Sequence, residues 1–259
     1  MTPAKAPPQA RLSSGVPGLD AMTGGGFLPG SSTLAAGSPG TGKTTLGLHF
    51  IAAGVLAGEP GVFVTFEYLP QQIYLDATNR GWPLREWEAQ NKFRLICTTP
   101  EVLLASTGAK GTVLDKIVQE IGAKRLVIDS MSQFEFLGQP GTELRQRIAG
   151  LVNHLRLLKV TTLMTHEIAQ IVGPTVTISN YGLEFLADNL IILRYVELGG
   201  EMQKAVNVLK FRGSAHDRKY RVLELTDEGI LIRSDFAGVE NISGGTARRD
   251  VADRVKRLV

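Results

Sequence analysis

Three features that would each announce a function are scarce in this chain. Its 259 residues hold a single cysteine, which excludes a disulfide framework and any zinc site built from several thiolates. That residue, Cys97, ends the apolar run Phe93-Arg-Leu-Ile-Cys97 and is expected to be a small buried core residue. No apolar stretch approaches the roughly 20 residues a membrane-spanning helix needs. Residues 1–10 are rich in Pro and Ala and lack the apolar core of a signal peptide. A soluble, cytoplasmic chain with no membrane association is the expectation. Charge bias is equally scarce, because 28 basic and 25 acidic residues are mixed along the sequence and leave a net charge of +3. By itself so small a bias neither announces nor excludes a nucleic-acid or membrane partner.

What is present suffices for a full core: 43% of the residues are hydrophobic, and the length suits one large α/β domain with short extensions. The division expected is a flexible N-terminus over 1–11, a domain over 12–236, and a linker with a C-terminal tail over 237–259. Residues 12–29 are crowded with Gly, Pro and Ser and read as a series of turns. Strand and helix signals then alternate. Strands are expected over 32–36, 61–66, 92–97, 125–129 and 161–165, and helices over 45–57, 70–80 and 112–121. A further amphipathic helix carries Leu144, Ile148, Leu151, Val152, Leu155 and Leu158 on one face, with His154 in a structural place. This βαβ rhythm implies a parallel sheet. Beyond a polar loop at 169–182 the pattern changes to strands at 189–196, 205–212, 220–225 and 230–233. The short Gly-containing links between them suggest antiparallel hairpins. In the tail, Val251, Val255 and Leu258 share one face of a short basic segment, which reads as a frayed end or as a helix that docks a partner.

The chemistry is concentrated in Gly37-Ser-Pro-Gly-Thr-Gly-Lys-Thr-Thr45, which matches the phosphate-binding pattern G-x-x-x-x-G-K-[ST] between a strand and a helix. Gly37, Gly40 and Gly42 let the backbone curl without a Cβ in the way. The amides of Ser38, Pro39's neighbours, Thr41 and the residues up to Thr45 would face an anion at the positive end of the helix. Lys43 would reach the β- and γ-phosphates of ATP, and the Thr44 hydroxyl would ligate Mg²⁺. Asp129 ends the apolar strand Leu126-Val-Ile-Asp129, the place of a carboxylate that holds Mg²⁺ through water. Glu67 ends the strand beside the phosphate loop, where a carboxylate could orient and deprotonate an attacking water. Glu101 and Glu120 have no such placement.

Four stretches resemble the KaiC family of circadian clock ATPases: Gly61-Val-Phe-Val-Thr-Phe-Glu-Tyr-Leu-Pro-Gln-Gln-Ile73, the following Gly81-Trp82, Ile128-Asp-Ser130, and Lys210-Phe-Arg-Gly-Ser-Ala-His216. KaiC carries two such domains in tandem, and this chain has room for one. The resemblance implies a RecA-like P-loop NTPase fold with helices on both faces of a mostly parallel sheet and antiparallel strands at the C-terminal end. It also implies a ring of six subunits with ATP or ADP and Mg²⁺ bound between neighbours. Glu67 falls on the family's catalytic glutamate, and Lys210 and Arg212 fall on a basic pair that reaches the γ-phosphate held by the adjacent subunit. Gly213, Ser214 and His216 belong to the same nucleotide-binding stretch. Two departures stand out. Tyr68 replaces the family's second glutamate, and Glu184-Phe185 stands where the autophosphorylating half of KaiC has Ser-Thr, which argues for an ATPase without autokinase activity. Thr175, Thr177 and Ser179 are nearby hydroxyls that could take a displaced phosphate.

Three functions compete on this reading: a slowly hydrolysing, ring-forming regulatory ATPase, a DNA-dependent recombinase or helicase, and a nucleotide-binding scaffold without turnover. The 169–182 loop holds no Lys or Arg, which argues against a grip on single-stranded nucleic acid. Tyr68 keeps the scaffold in play.

Overall fold

The computed structural model describes residues 10–105, 111–138, 141–169, 178–236, 239–240, 242 and 246–249. The first helix, α1 (Pro17–Thr23), lies where the sequence suggests only turns. Pro17 opens it with a preset φ, Gly24 closes it at φ 70, and Leu19, Met22 and Thr23 are buried, so tertiary contact sustains a helix too short to stand alone. The chain then runs through β1 (Ser32–Gly37), α2 (Lys43–Leu56), β2 (Gly61–Thr65), α3 (Pro70–Thr78), α4 (Leu84–Ala89) and β3 (Phe93–Cys97). After these come α5 (Pro100–Ala105), α6 (Val113–Glu120), β4 (Arg125–Asp129), a 3-10 helix at Met131–Leu137, α7 (Thr142–Leu157), β5 (Thr161–Glu167) and α8 (Leu183–Leu186). Four strands follow: β6 (Asn189–Leu198), β7 (Glu201–Phe211), β8 (Arg221–Thr226) and β9 (Gly229–Asp235).

The strands form one sheet in the order β3-β2-β4-β5-β1-β6-β7-β8-β9. Its first six members are parallel and its last four neighbours antiparallel, sharing β6. Every residue of β1, β2 and β4 is buried, as a parallel sheet covered on both faces requires. One face packs Leu34, Val62, Val64, Leu126 and Ile128 against Leu103, Leu114, Val118 and the apolar stripe of α7, including Ile148 and Leu151. The other face packs Ala35, Phe63, Val127 and Leu163 against Leu46, Phe50 and Ile51 of α2 and Ile73 and Trp87 of α3 and α4. Helix α2 is apolar nearly all round because the sheet lies on one side and the N-terminal and C-terminal segments on the other.

Two expectations need correction here. Cys97 is exposed: β3 is the edge strand, only Phe93 of it is buried, and its last residue runs past the helical cover. In the tail, two short strands, β10 (Val239–Glu240) and β11 (Thr246–Arg249), stand where the sequence suggests a linker, and β11 pairs with β6. Residues 1–9, together with Val251, Val255 and Leu258, lie outside the described residues.

Candidate active site

The register of the sheet builds the site. Gly37 at the end of β1 lies opposite Glu167 at the end of β5, and Thr65 at the end of β2 lies opposite Asp129 at the end of β4. Four carboxyl-terminal strand ends thus meet at one edge, where ligands of open α/β sheets bind.

Within the phosphate loop, Gly40 and Gly42 take φ 75 and φ 98, conformations that a side chain would strain, and Gly42 is the N-cap of α2. A Cβ on Gly37 would stand 2.3 Å from the Leu193 carbonyl oxygen, and one on Gly42 would stand 2.7 Å from Leu225 of β8. The loop therefore has backbone on one side and the C-terminal sheet on the other. Thr41 Oγ1 donates to the Ser38 carbonyl at 2.8 Å and braces the turn from within. The cleft above is lined by Pro39, Gly40, Gly42, Lys43, Thr44, Thr45, Glu67, Tyr68, Asp129, Ser130, Glu167 and Leu225.

Lys43 is buried, and its Nζ donates to the carbonyls of Gly37 (2.9 Å) and Ser38 (3.1 Å), 3.6 Å from the Glu167 carboxylate. Burial pulls its pKa below the usual lysine range, and the nearby carboxylates of Glu167, Asp129 and Glu67 oppose that shift. Thr44 Oγ1 donates to Asp129 Oδ2 at 2.8 Å, and Thr165 donates to the other carboxylate oxygen. Burial pushes the Asp129 carboxyl above its ordinary range, a shift that a cation beside it would reverse. Glu67 is exposed at the rim and accepts a hydrogen bond from Gln133 of the 3-10 helix.

These residues fit Mg²⁺ and a phosphate chain. The Thr44 hydroxyl and the Asp129 carboxylate are hard oxygen donors suited to Mg²⁺. Among the described residues no three His, Cys, Asp or Glu side chains gather into a cage, so a cation here would complete its shell from phosphate oxygens and water. Ser130 Oγ, buried in the same cleft, has no hydrogen-bond partner among the described residues.

The structure thus brings together the phosphate loop from Gly37 to Thr45, Glu67 and Asp129. It places Lys210, Arg212, Gly213, Ser214 and His216 elsewhere, at the end of β7 and in the turn beyond it, where none lines the cleft of its own chain. Lys210 Nζ donates to the carbonyls of Ala187 (2.6 Å) and Glu184 (3.3 Å), and Arg212 is 75% exposed beside Asp188. Ser214 Oγ accepts from Arg11 at 2.5 Å, and His216 Nε2 is buried with no partner among the described residues.

Sequence reasoning did not assign Glu167, Ser130 or Leu225 to the cleft, and it named Tyr68 only as a departure from the family. Glu167, like Asp129, is an acid at a strand end, but the strand expected over 161–165 in fact runs on to it through the polar Thr165 and His166. Its amide donates to Ser132 Oγ at 2.6 Å, which ties β5 to the 3-10 helix. Ser130 follows Asp129 and needs only the burial to be recognised. Tyr68 lines the cleft beside Glu67, and burial raises its pKa. Leu225 has no local signal at all, because only the antiparallel return of β8 carries it to the loop.

A phosphate loop at the switch from β1 to α2, a strand-end acid bonded to its threonine, and a parallel sheet extended by an antiparallel arm define a P-loop ATPase domain of RecA-like fold. Residues 12–236 match the family described as "ATPase: KaiC". The chain is 36% identical over 251 residues to the "Circadian clock oscillator protein KaiC" of Parathermosynechococcus lividus, covering 96% of this chain and 45% of that one. To the "Circadian clock protein KaiC3" of a Synechocystis species it is 32% identical over 248 residues, with coverages of 96% and 48%. The chain belongs to the KaiC ATPase family, and it spans about half the length of these curated relatives.

Proposed function

We propose that this chain is an ATP-binding, slowly ATP-hydrolysing KaiC-like regulatory ATPase, cytoplasmic, that works as a ring, a hexamer, with each active site shared between neighbours. The observation that carries the reading is the convergence of Lys43, Thr44, Asp129 and Glu67 on one cleft. On binding, the amides of the phosphate loop and Lys43 take the β- and γ-phosphates, and Lys43 exchanges its carbonyl partners for phosphate oxygens. Mg²⁺, held through Thr44 and Asp129, would neutralise charge on the phosphates. Glu67 takes a proton from the attacking water as its oxygen bonds to the γ-phosphorus. The bond from that phosphorus to the bridging oxygen breaks, and ADP and phosphate leave.

Lys210 and Arg212 do not reach this cleft within one subunit, and the exposure of Arg212 suits a role on the neighbour's γ-phosphate, with Lys210 behind it and Gly213, Ser214 and His216 beside the same nucleotide. Slow turnover is expected because Tyr68 offers a phenol where the family has a second glutamate. No stable autophosphorylation is expected, because Glu184 and Phe185 carry no hydroxyl. Ser179 is the described candidate for a displaced site, its Oγ donating to Glu184 at 2.8 Å, whereas Thr175 and Thr177 lie outside the described residues. A regulatory partner on the C-terminal tail belongs to the same proposal.

Tyr68, lining the cleft where the family has a second glutamate, favours a second reading, a nucleotide-binding scaffold without turnover. Phosphate release from MgATP, measured with and without single-stranded DNA, separates these readings. DNA-independent hydrolysis supports the ATPase, binding without hydrolysis supports the scaffold, and a large stimulation by DNA supports a recombinase. In the same incubation γ-labelled ATP should leave no stoichiometric label on Ser179, Thr175 or Thr177. Label found there, and absent from the Lys43→Ala protein, would sink the prediction.

A further inference from the structure

We infer that Asp188 is a positioning residue that aims Arg212 out of its own subunit toward the neighbour's nucleotide; the inference rests on the shared-site reading proposed above. Asp188 precedes β6, and its two carboxylate oxygens have different partners. Oδ2 accepts from Ser32 N (3.0 Å), Ser32 Oγ (2.8 Å) and Arg156 (3.1 Å), which saturates it. Oδ1 faces the Arg212 guanidinium at 3.3 Å. The backbone repeats the pattern: Asp188 N–H donates to the Ser32 carbonyl at 2.8 Å, and Arg212 N–H donates to the Asp188 carbonyl at 3.2 Å. Lys210 fixes the adjoining peptide through the Ala187 carbonyl.

Asp188 is thus locked to the first residue of β1, deep in the sheet, while Arg212 is 75% exposed and, among the described residues, has this one carboxylate to orient it. An ion pair so exposed adds little to folding. What it does supply is direction, because a long side chain leaving a strand end samples many rotamers unless one partner selects among them. Burial pushes the Asp188 carboxyl up, but the hydrogen bonds from Ser32 and Arg156 and the Arg156 charge outweigh it and hold the carboxyl below its usual range, which favours the ionised form that pairs with Arg212.

A double-mutant cycle on ATP hydrolysis tests this, using the full chain and four proteins: wild type, Asp188→Asn, Arg212→Ala and the combination. Asp188→Asn should lower kcat roughly 10- to 100-fold, the scale of a misplaced catalytic group, and leave KM for ATP unchanged. In the Arg212→Ala background the same change should cost nothing further, since it acts through the missing side chain. A second readout is independent of turnover: Arg212 should react faster with phenylglyoxal in Asp188→Asn than in wild type, as followed by peptide mass mapping. Should Asp188→Asn fail to fold, Asp188→Glu, which keeps the charge and shifts it by one methylene, takes its place in the cycle. An equal loss of kcat in both backgrounds would show a merely structural aspartate and overturn the inference. So would full turnover of Asp188→Asn beside a slow Arg212→Ala, and that result leaves the shared site standing. Full turnover of Arg212→Ala itself would instead bring down the shared-site reading and this inference with it.

Discussion

At the residue scale the cleft divides binding from chemistry. Lys43 lies inside the loop, hydrogen-bonded to the two carbonyls that phosphate oxygens would replace, so Lys43→Ala should abolish tight ATP binding in a fluorescent-nucleotide titration. Glu67 lies at the rim, hydrogen-bonded to Gln133. Glu67→Gln is therefore expected to bind ATP normally and to release phosphate about 10²- to 10⁴-fold more slowly, the usual cost of losing a general base. Normal turnover in that variant removes Glu67 from the mechanism. Both residues are legible in the sequence because each stands at a fixed offset from a strand end. Glu167 is equally placed, yet the strand signal stops short of it: Thr165 and His166 are polar residues whose burial comes from the sheet and not from their own chemistry.

At the element scale, α2 joins the phosphate loop to the C-terminal arm through His49. Its Nε2 accepts from Ile230 N at 2.8 Å, and its ring packs edge-on against Trp82 with centroids 4.7 Å apart. Burial drives the His49 pKa down to about 4, so folding requires the neutral ring. In the unfolded chain the imidazole titrates near 6.5. The stabilisation is therefore complete above pH 6.5 and is lost as pH falls toward 4, amounting to at most about 3 kcal/mol for this residue. His166, also held to about 4 by burial, acts in the same direction. Urea unfolding at pH 7.5 and pH 5 should show wild type losing stability in acid and His49→Gln, whose amide oxygen can still accept from Ile230, losing less. The same acid loss in both proteins would remove His49 as a source. No periodicity in the sequence marks this contact, because its partner lies on β9.

At the scale of the whole molecule, the phosphate loop and the basic pair sit on different parts of the surface, and sharing between copies is what joins them in the proposed ring. Alone, subunits carrying Lys43→Ala should be inactive and subunits carrying Arg212→Ala should hydrolyse ATP slowly. Mixed, they should regain part of the activity, because some interfaces then pair an intact loop with an intact arginine. Mixed rings that form by native mass spectrometry and still fail to hydrolyse ATP would show that Arg212 acts within its own subunit or not at all. Solution mass with and without MgATP checks the assembly itself.

The sequence by itself determined the α/β alternation, the phosphate loop, the strand-end acid at Asp129 and the antiparallel close, since each depends on local period or on fixed spacing along the chain. Helix α7 shows the same: its buried stripe of Leu144, Ile148, Leu151, Val152 and Leu155 is the one its spacing implies. Only the tertiary structure decided the rest. Strand order made β3 an edge and exposed Cys97. Burial stabilised α1 despite its turn-forming sequence. Register brought Glu167 opposite Gly37, and the return of β8 set Leu225 against the loop. The physical reason is the same in each case, because burial and strand pairing depend on partners far away in the chain, which no local pattern encodes.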